Sequence, residues 1–130
     1  MELVIAIALL GLIVVAVLAI LPGAFRSQRQ SEHRIAASSF AEELLNYCNS
    51  QSVVSFPLGD WTPATAAANF PFLRDRTLDD QVVLRPELKL ENGSVDLSQY
   101  LRQITVSVSW NENNQTMRVV RYRRVTNLRR

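Results

Sequence analysis

The residues able to do chemistry are few and scattered in this chain of 130 residues. It contains one cysteine, Cys48, and one histidine, His33. A single thiol excludes an internal disulfide framework and a Cys-x-x-Cys site, and a single imidazole leaves no partner for a histidine-based metal cluster. The acidic pair Asp79-Asp80 has no histidine, ligand cluster or glycine-rich phosphate loop beside it. We therefore expect no catalytic residues, no cofactor and no metal site, and predict that the protein is not an enzyme.

One carboxylate, Glu2, stands out because it borders a long apolar run. From Leu3 to Leu21 the sequence reads LVIAIALLGLIVVAVLAIL, with no polar or charged side chain. As a helix this run would be about 28 Å long, close to the hydrocarbon thickness of a bilayer. Its Leu, Ile and Val residues favour insertion by on the order of −4 to −8 kcal/mol. We predict a transmembrane helix over 1–25. A cleavable signal sequence is the alternative, and it is disfavoured because its apolar core is shorter and follows a basic start.

The charge distribution leaves the orientation of this helix open. All 14 basic residues lie from Arg26 onward, and the net charge of +2 is too small to imply a nucleic-acid partner. The positive-inside rule then keeps the rest of the protein in the cytoplasm, unless a basic leader precedes Met1. Glu2 is either an acid that caps the helix at the membrane surface or a group with a role inside the apolar layer.

The segment from Glu2 to Leu12, ELVIAIALLGL, places a glutamate nine residues before Gly11. It resembles the N-terminal segment of type IV pilins and type II secretion pseudopilins, in which a glutamate precedes an apolar helix with a glycine at this spacing. The resemblance implies that a basic leader and a few mature residues lie upstream of Met1, which would account for the missing positive charge. It also implies that Glu2 and Gly11 serve assembly, with Glu2 paired to the N-terminal amine of a neighbouring subunit.

The residues after the apolar run predict a second helical segment. Pro22-Gly23 predicts a helix break, as a kink or a melted turn, because proline removes a backbone hydrogen bond and glycine adds freedom. An amphipathic stalk helix is then predicted over 26–50. Its apolar residues recur at three-and-four spacing, and they are Ala37, Phe40, Ala41, Leu44 and Cys48. Cys48 is interpreted as a small buried apolar residue of this stripe.

The rest of the chain predicts a connector and then a sheet. Prolines and aromatics over 51–80 indicate a packed connecting loop region, and 81–130 is predicted to form an antiparallel β-sheet region. Short strands are expected at 82–84 and 88–90, and Asn92-Gly93 carries the signal of a tight hairpin. Ile104, Val106, Val108 and Trp110 alternate with polar residues, which is typical of a half-buried strand, and a turn over 111–114 precedes a last strand over 117–125.

Arginines dominate the last strand. Arg121, Arg123 and Arg124 form a possible anion-binding group for DNA phosphates or anionic lipid. The simpler interpretation, which we favour, is that arginines on a terminal strand keep an exposed edge from pairing with other chains.

Together these features predict an α+β protein in which a long N-terminal helix, with a transmembrane half and an amphipathic half, packs on a small antiparallel sheet. The run ITVSVSW and the basic strand after it resemble the C-terminal end of minor pilins (PilV-like) and minor pseudopilins (GspI-like). The resemblance implies a pilin-like fold, a minor structural subunit of a filament, and other pilin or pseudopilin subunits and inner-membrane lipid as partners. It also implies an inner-membrane anchor with the soluble part in the periplasm. The alternatives are a single-pass anchored binding domain outside a filament and a DNA-uptake subunit; no small-molecule substrate is expected.

Overall fold

The computed structural model describes residues 2–51, 56–66, 69–79, 81–93 and 101–126, and it describes Glu2 by its backbone alone. The chain divides into two units, Met1–Arg34 and Ile35–Arg130. Helix α1 runs over Glu2–Ser50 and contributes residues to both units. The other elements belong to the second unit.

The melted turn predicted at Pro22-Gly23 is wrong, because α1 continues through both residues, and the alternative kink stays a prediction. Proline lacks only its own N–H group and disturbs one carbonyl of the preceding turn. The neighbouring turns of a long helix keep their own hydrogen bonds, and helix propagation is cooperative, so one missing bond does not end it. A Cβ atom at Gly23 would meet nothing within 4 Å, so no close packing in the described part of the chain explains this glycine.

The second unit is an antiparallel sheet covered on one face by the Ile35–Ser50 part of α1. Its remaining elements, in chain order, are β1 (Gly59–Trp61), α2 (Pro63–Ala66), β2 (Arg76–Thr77), β3 (Val83–Asn92), β4 (Leu101–Glu112) and β5 (Gln115–Thr126). The strand order is β1-β3-β4-β5, and β2 also pairs with β3. The predicted α+β arrangement of a long N-terminal helix packed on a small antiparallel sheet is therefore confirmed.

The core lies between the helical stripe and the inward row of β4. Side chains alternate across a strand, and from Ile104 to Trp110 every second residue of β4 is buried: Ile104, Val106, Val108 and Trp110. The opposing helix buries Ala37, Phe40, Ala41, Leu44, Leu45 and Cys48. The predicted burial of Cys48 and the predicted inward row of β4 are both confirmed.

Strand β3 is a single strand where the sequence predicted two short ones, and it passes through Pro86. Val108, the partner of Pro86, exchanges hydrogen bonds with Val119 on β5, so Pro86 and Val108 form a non-hydrogen-bonded pair. The nitrogen of Pro86 therefore faces away from β4, toward the other side of β3. On that side β1 ends opposite Leu88 and β2 begins opposite Leu84, so neither strand pairs with Pro86. A proline is tolerated in a sheet where no ladder bond is required of its nitrogen.

The predicted tight hairpin at Asn92-Gly93 is also wrong. Asn92 pairs with Arg102 as the last residue of β3, and the N–H of the next residue, Gly93, donates to the carbonyl of Leu101 over 2.7 Å. The chain between Gly93 and Leu101 lies outside the described residues. A Cβ atom at Gly93 would lie 2.6 Å from the Cβ of Leu101. The missing side chain of Gly93 thus permits a close approach of β4. The Asn-Gly dipeptide alone does not distinguish a glycine that permits such an approach from a glycine that forms a turn.

The turn predicted over 111–114 is confirmed at Asn113 and Asn114, whereas Asn111 and Glu112 belong to β4. Glu112 pairs with Gln115 across a two-residue loop, and Asn113 and Asn114 both have positive φ angles, 50° and 62°. A two-residue loop with both central residues in this region is the type I′ turn that suits the twist of a hairpin, and asparagine tolerates it.

Candidate functional site

The apolar segment of α1 is exposed along its whole length. All fourteen Leu, Ile and Val residues between Leu3 and Leu21 are exposed, with fractions from 39% at Leu21 to 75% at Leu3. The core helix of a soluble protein would bury such side chains, and this one buries none of them. By length and composition this helix could cross a membrane.

Of the two residues predicted to serve assembly, Glu2 borders this segment and Gly11 lies within it. The side chain of Glu2 lies outside the described residues, and its backbone begins α1. At Gly11 an added Cβ atom would meet nothing within 4 Å. No contact described within the chain therefore requires a glycine there.

A charged seam joins the edge strand β5 to helix α1, and it is centred on Glu42. Arg121 Nε lies 3.5 Å from Glu42 Oε1, and Arg123 Nη2 lies 3.9 Å from Glu42 Oε2. Arg121 Nη2 also donates to Ser38 Oγ over 2.8 Å, and Arg123 Nη1 donates to Asn46 Oδ1 over 3.1 Å. Ser38, Glu42 and Asn46 are spaced by four residues, so they form one polar row along the helix.

The three arginines predicted as a possible anion-binding group are divided between two faces of the sheet. Arg121 and Arg123 point to the helix side, whereas Arg124 points to the opposite face and donates from Nε to Gln103 Oε1 over 3.3 Å. Adjacent residues of a strand face opposite ways, so the third arginine could not join the other two. The structure therefore does not bring these three charges together. The acidic partner Glu42 was not identified from the sequence, although its four-residue spacing from Ser38 and Asn46 is a visible signal.

A second charge cluster lies on the open face of the sheet. Arg118 Nη2 donates to Glu87 Oε2 over 2.9 Å and to Ser107 Oγ over 2.7 Å, and Ser107 Oγ donates to Glu87 Oε2 over 3.1 Å. The cluster leaves Ser107 only 4% exposed. Arg118 is thus engaged by a carboxylate of its own chain.

The connector is held to α1 by a charged contact that the sequence did not reveal. Arg76 on β2 makes two bonds to the carboxylate of Glu43, at 2.9 and 3.0 Å. Its guanidinium carbon lies 4.2 Å from the ring centroid of Phe40, in cation–π geometry. A bidentate arginine stacked on a ring fixes orientation as well as distance.

Aromatic rings fill the space beneath the connector. Phe70 is fully buried, and its ring contacts those of Phe56, Trp61 and Phe72 at centroid distances of 4.9, 5.2 and 5.8 Å. The ring of Tyr47 on α1 contacts that of Phe72 at a centroid distance of 4.4 Å and is tilted by 44° to it. The predicted packing of the connector's aromatics is therefore confirmed.

Within the described ranges, no group of three or more His, Cys, Asp or Glu residues is arranged to hold a metal ion. Comparisons of the chain with protein-family models, with curated proteins and with solved structures find no match. The resemblance to pilins therefore depends on two segments, the one from Glu2 to Leu12 and the one from Ile104 to Trp110.

Proposed function

We propose that this chain is a minor structural subunit, a minor pilin or minor pseudopilin, of a type IV pilus or a type II secretion-like filament. It is anchored in the inner membrane by the Leu3–Leu21 segment, with the sheet on the periplasmic side, and it enters the filament or its priming tip during assembly. The observation that carries the proposal is the apolar segment, in which every large side chain is exposed.

An exposed apolar helix has two ways to avoid water, which are lipid and the helices of other subunits. Lipid chains are as apolar as leucine, so exchanging one environment for the other costs little hydrophobic free energy. Helix association in an apolar medium depends on close packing instead, which small residues permit. The open space around Gly11 lets the backbone of another helix approach there.

Glu2 supplies specificity in this proposal. A carboxylate in an apolar layer is costly unless a cation pairs with it. Pairing with the N-terminal amine of a neighbouring subunit offsets that cost and sets the axial register between subunits. The same carboxylate at the membrane surface before assembly costs little, because the first turn of a helix favours an anion.

The deciding experiment replaces Glu2→Leu in the full-length protein, in cells that carry its own neighbouring genes. Membrane level should stay unchanged, since the change removes the charge that borders an already sufficient apolar span. Recovery in sheared filaments, or in a crosslinked complex with other subunits, should be lost. Glu32→Leu is the matched control, because Glu32 is an exposed carboxylate of the same helix outside the apolar segment, and it should assemble normally.

Two outcomes contradict the proposal. Normal assembly of the Glu2→Leu variant makes Glu2 a surface cap and removes the proposed register contact. A chain that stays in the membrane and never enters a filament or a subunit complex is an anchored binding domain instead.

The periplasmic location has its own test. Tyr122 is 68% exposed on the open face of the sheet, so a Cys48→Ala/Tyr122→Cys variant presents one accessible thiol. A membrane-impermeant maleimide should label it in cells whose outer membrane has been opened, without lysis of the inner membrane. Labelling only after lysis would place the sheet in the cytoplasm.

A further inference from the structure

Strand β5 is a long edge strand whose outer side has no partner strand among the described residues. Its residues pair one to one with those of β4 without a break. The first pair is Leu101 with Thr126, and the last is Glu112 with Gln115. The opposite edge of the sheet is divided between β1, with three residues, and β2, with two. Short or interrupted edges resist pairing with other chains, whereas a long regular edge presents a template for a further strand.

The register defines which backbone groups of β5 face outward. Glu112 and Gln115 flank a two-residue loop and form a hydrogen-bonded pair, so odd-numbered residues of β5 bond to β4. The N–H and C=O groups of Arg118, Val120, Tyr122 and Arg124 therefore point away from the sheet. Val120 and Tyr122 also have exposed side chains, at 48% and 68%.

The usual protections of an edge are weak on β5. The strand has no proline and no bulge. Two of its four arginines, Arg121 and Arg123, turn to the helix and meet Glu42, so they do not guard the edge. Arg118 is engaged with Glu87, and Arg124 has an uncharged partner, Gln103.

Charge identifies the partner that this edge accepts. The strand carries four arginines and no acidic residue. Arg121 and Arg123 share one carboxylate, and the hydrogen-bond partner of Arg124 is uncharged, so these contacts leave a net positive charge along the strand. A second copy of β5 placed antiparallel alongside, with Val120 opposite Tyr122, would bring Arg118 opposite Arg124, and like charges facing across a strand pair are destabilising. Opposite charges at the same positions stabilise the pair. We propose that the outer edge of β5 binds an extended, acidic segment of a partner protein, which adds to the sheet as a further strand. This proposal does not depend on the function proposed above.

The test uses the full chain in detergent micelles and two blocked synthetic peptides, one of alternating Glu and Val and one of alternating Lys and Val. Residue-resolved amide exchange is the readout. The Glu-Val peptide should slow exchange at Val120, Tyr122 and Arg124 by at least about tenfold at saturation, which corresponds to about 1.4 kcal/mol. The odd-numbered amides, already bonded to β4, should change little. Added salt should weaken this binding, and the Lys-Val peptide should not bind.

Two substitutions separate backbone pairing from charge. Val120→Pro removes an outward N–H that β4 does not use, so it should abolish protection by the peptide. Its control, Val120→Thr, keeps the N–H and should bind as the wild type does. Arg124→Glu leaves the backbone intact, and it should reduce affinity for the Glu-Val peptide whether or not the proline variant folds.

Four results overturn the proposal. The first is absence of binding by the Glu-Val peptide at millimolar concentration, and the second is binding without protection of the even-numbered amides. The third is equal binding by the Lys-Val peptide. The fourth is concentration-dependent protection of the same amides without any peptide, which would make a second copy the occupant.

Discussion

Arg121 on strand β5 and Glu42 on helix α1 form an ion pair that ties the sheet's edge strand to the helix, with Nε 3.5 Å from Oε1. Arg123, two residues along the same strand face, reaches the other oxygen of the same carboxylate at 3.9 Å. One helical carboxylate therefore serves two arginines that would otherwise repel each other on one side of a strand. All three side chains are partly exposed, so each pair contributes modestly.

We predict that Glu42→Gln lowers the free energy of unfolding of the second unit by about 1 kcal/mol, the sum of two weak exposed pairs. Both tryptophans, Trp61 and Trp110, lie in this unit. Their fluorescence during chemical denaturation of the full chain in detergent measures the change. Glu32→Gln is the control and should have no effect. An equal effect of the two variants would show that the seam adds nothing to stability.

Substitutions of the arginines that contact Glu42 should lower the free energy of unfolding more than substitution of Arg124 does. Neither kind of substitution should change the affinity for DNA. Replacing Arg121 and Arg123 together with Gln should cost about 1 kcal/mol, whereas Arg124→Gln should cost less than about 0.5 kcal/mol. Neither variant should change binding to duplex DNA, measured by fluorescence anisotropy at low salt. Salt-dependent DNA binding by the wild type that is lost in the Arg121/Arg123 variant would favour a DNA-uptake subunit, because phosphate contacts release counterions.

Trp110→Ala should destabilise the second unit by about 3 to 5 kcal/mol, as truncation of a buried large aromatic does. The side chain is 3% exposed, and its Nε1 donates to Glu112 Oε2 over 3.4 Å. Thermal melting followed by far-ultraviolet circular dichroism is the measurement. Tyr122→Ala, at an exposed site on the same sheet, should change stability by less than about 0.5 kcal/mol. A small loss at Trp110 would mean that the core repacks around the gap.

The thiol of Cys48 should be unreactive while the protein is folded. The side chain is fully buried, and burial raises the pKa of the thiol from 9.0 to about 11, so the reactive thiolate is scarce at neutral pH. A disulfide reagent such as dithiobis(nitrobenzoate) should label it only after denaturation. The Cys48→Ala/Asn49→Cys variant moves the thiol to an exposed neighbour and should react at once.

The same shift sets a pH dependence. The folded state favours the protonated thiol, so this stabilising contribution is complete below pH 9 and declines as the pH rises from 9 toward about 11. Cys48→Ala removes the thiol, and its stability should fall less over that window. An equal fall in both proteins would show that other groups cause the alkaline loss.

Local chemistry and periodicity determined a large part of this protein from the sequence alone. Three patterns follow from the hydrophobicity of the side chains in each segment: the apolar run, the three-and-four stripe that ends at Cys48, and the alternation that ends at Trp110. Each segment's own residues are enough to produce its pattern. The Asn113-Asn114 turn follows similarly from the tolerance of asparagine for positive φ.

Tertiary structure decided the features that depend on a partner distant in sequence. Asn92-Gly93 is typical of a turn when considered locally, but Asn92 pairs with Arg102 and the N–H of Gly93 donates to the carbonyl of Leu101. Pro86 is accommodated inside β3 only because β1 and β2 leave a gap opposite it. The strand order places β5 at the edge of the sheet, beside the helix, where Arg121 contacts Glu42. No local sequence pattern relates these two residues. Such contacts depend on how separate segments close on one another, and a segment's own sequence does not contain its partner.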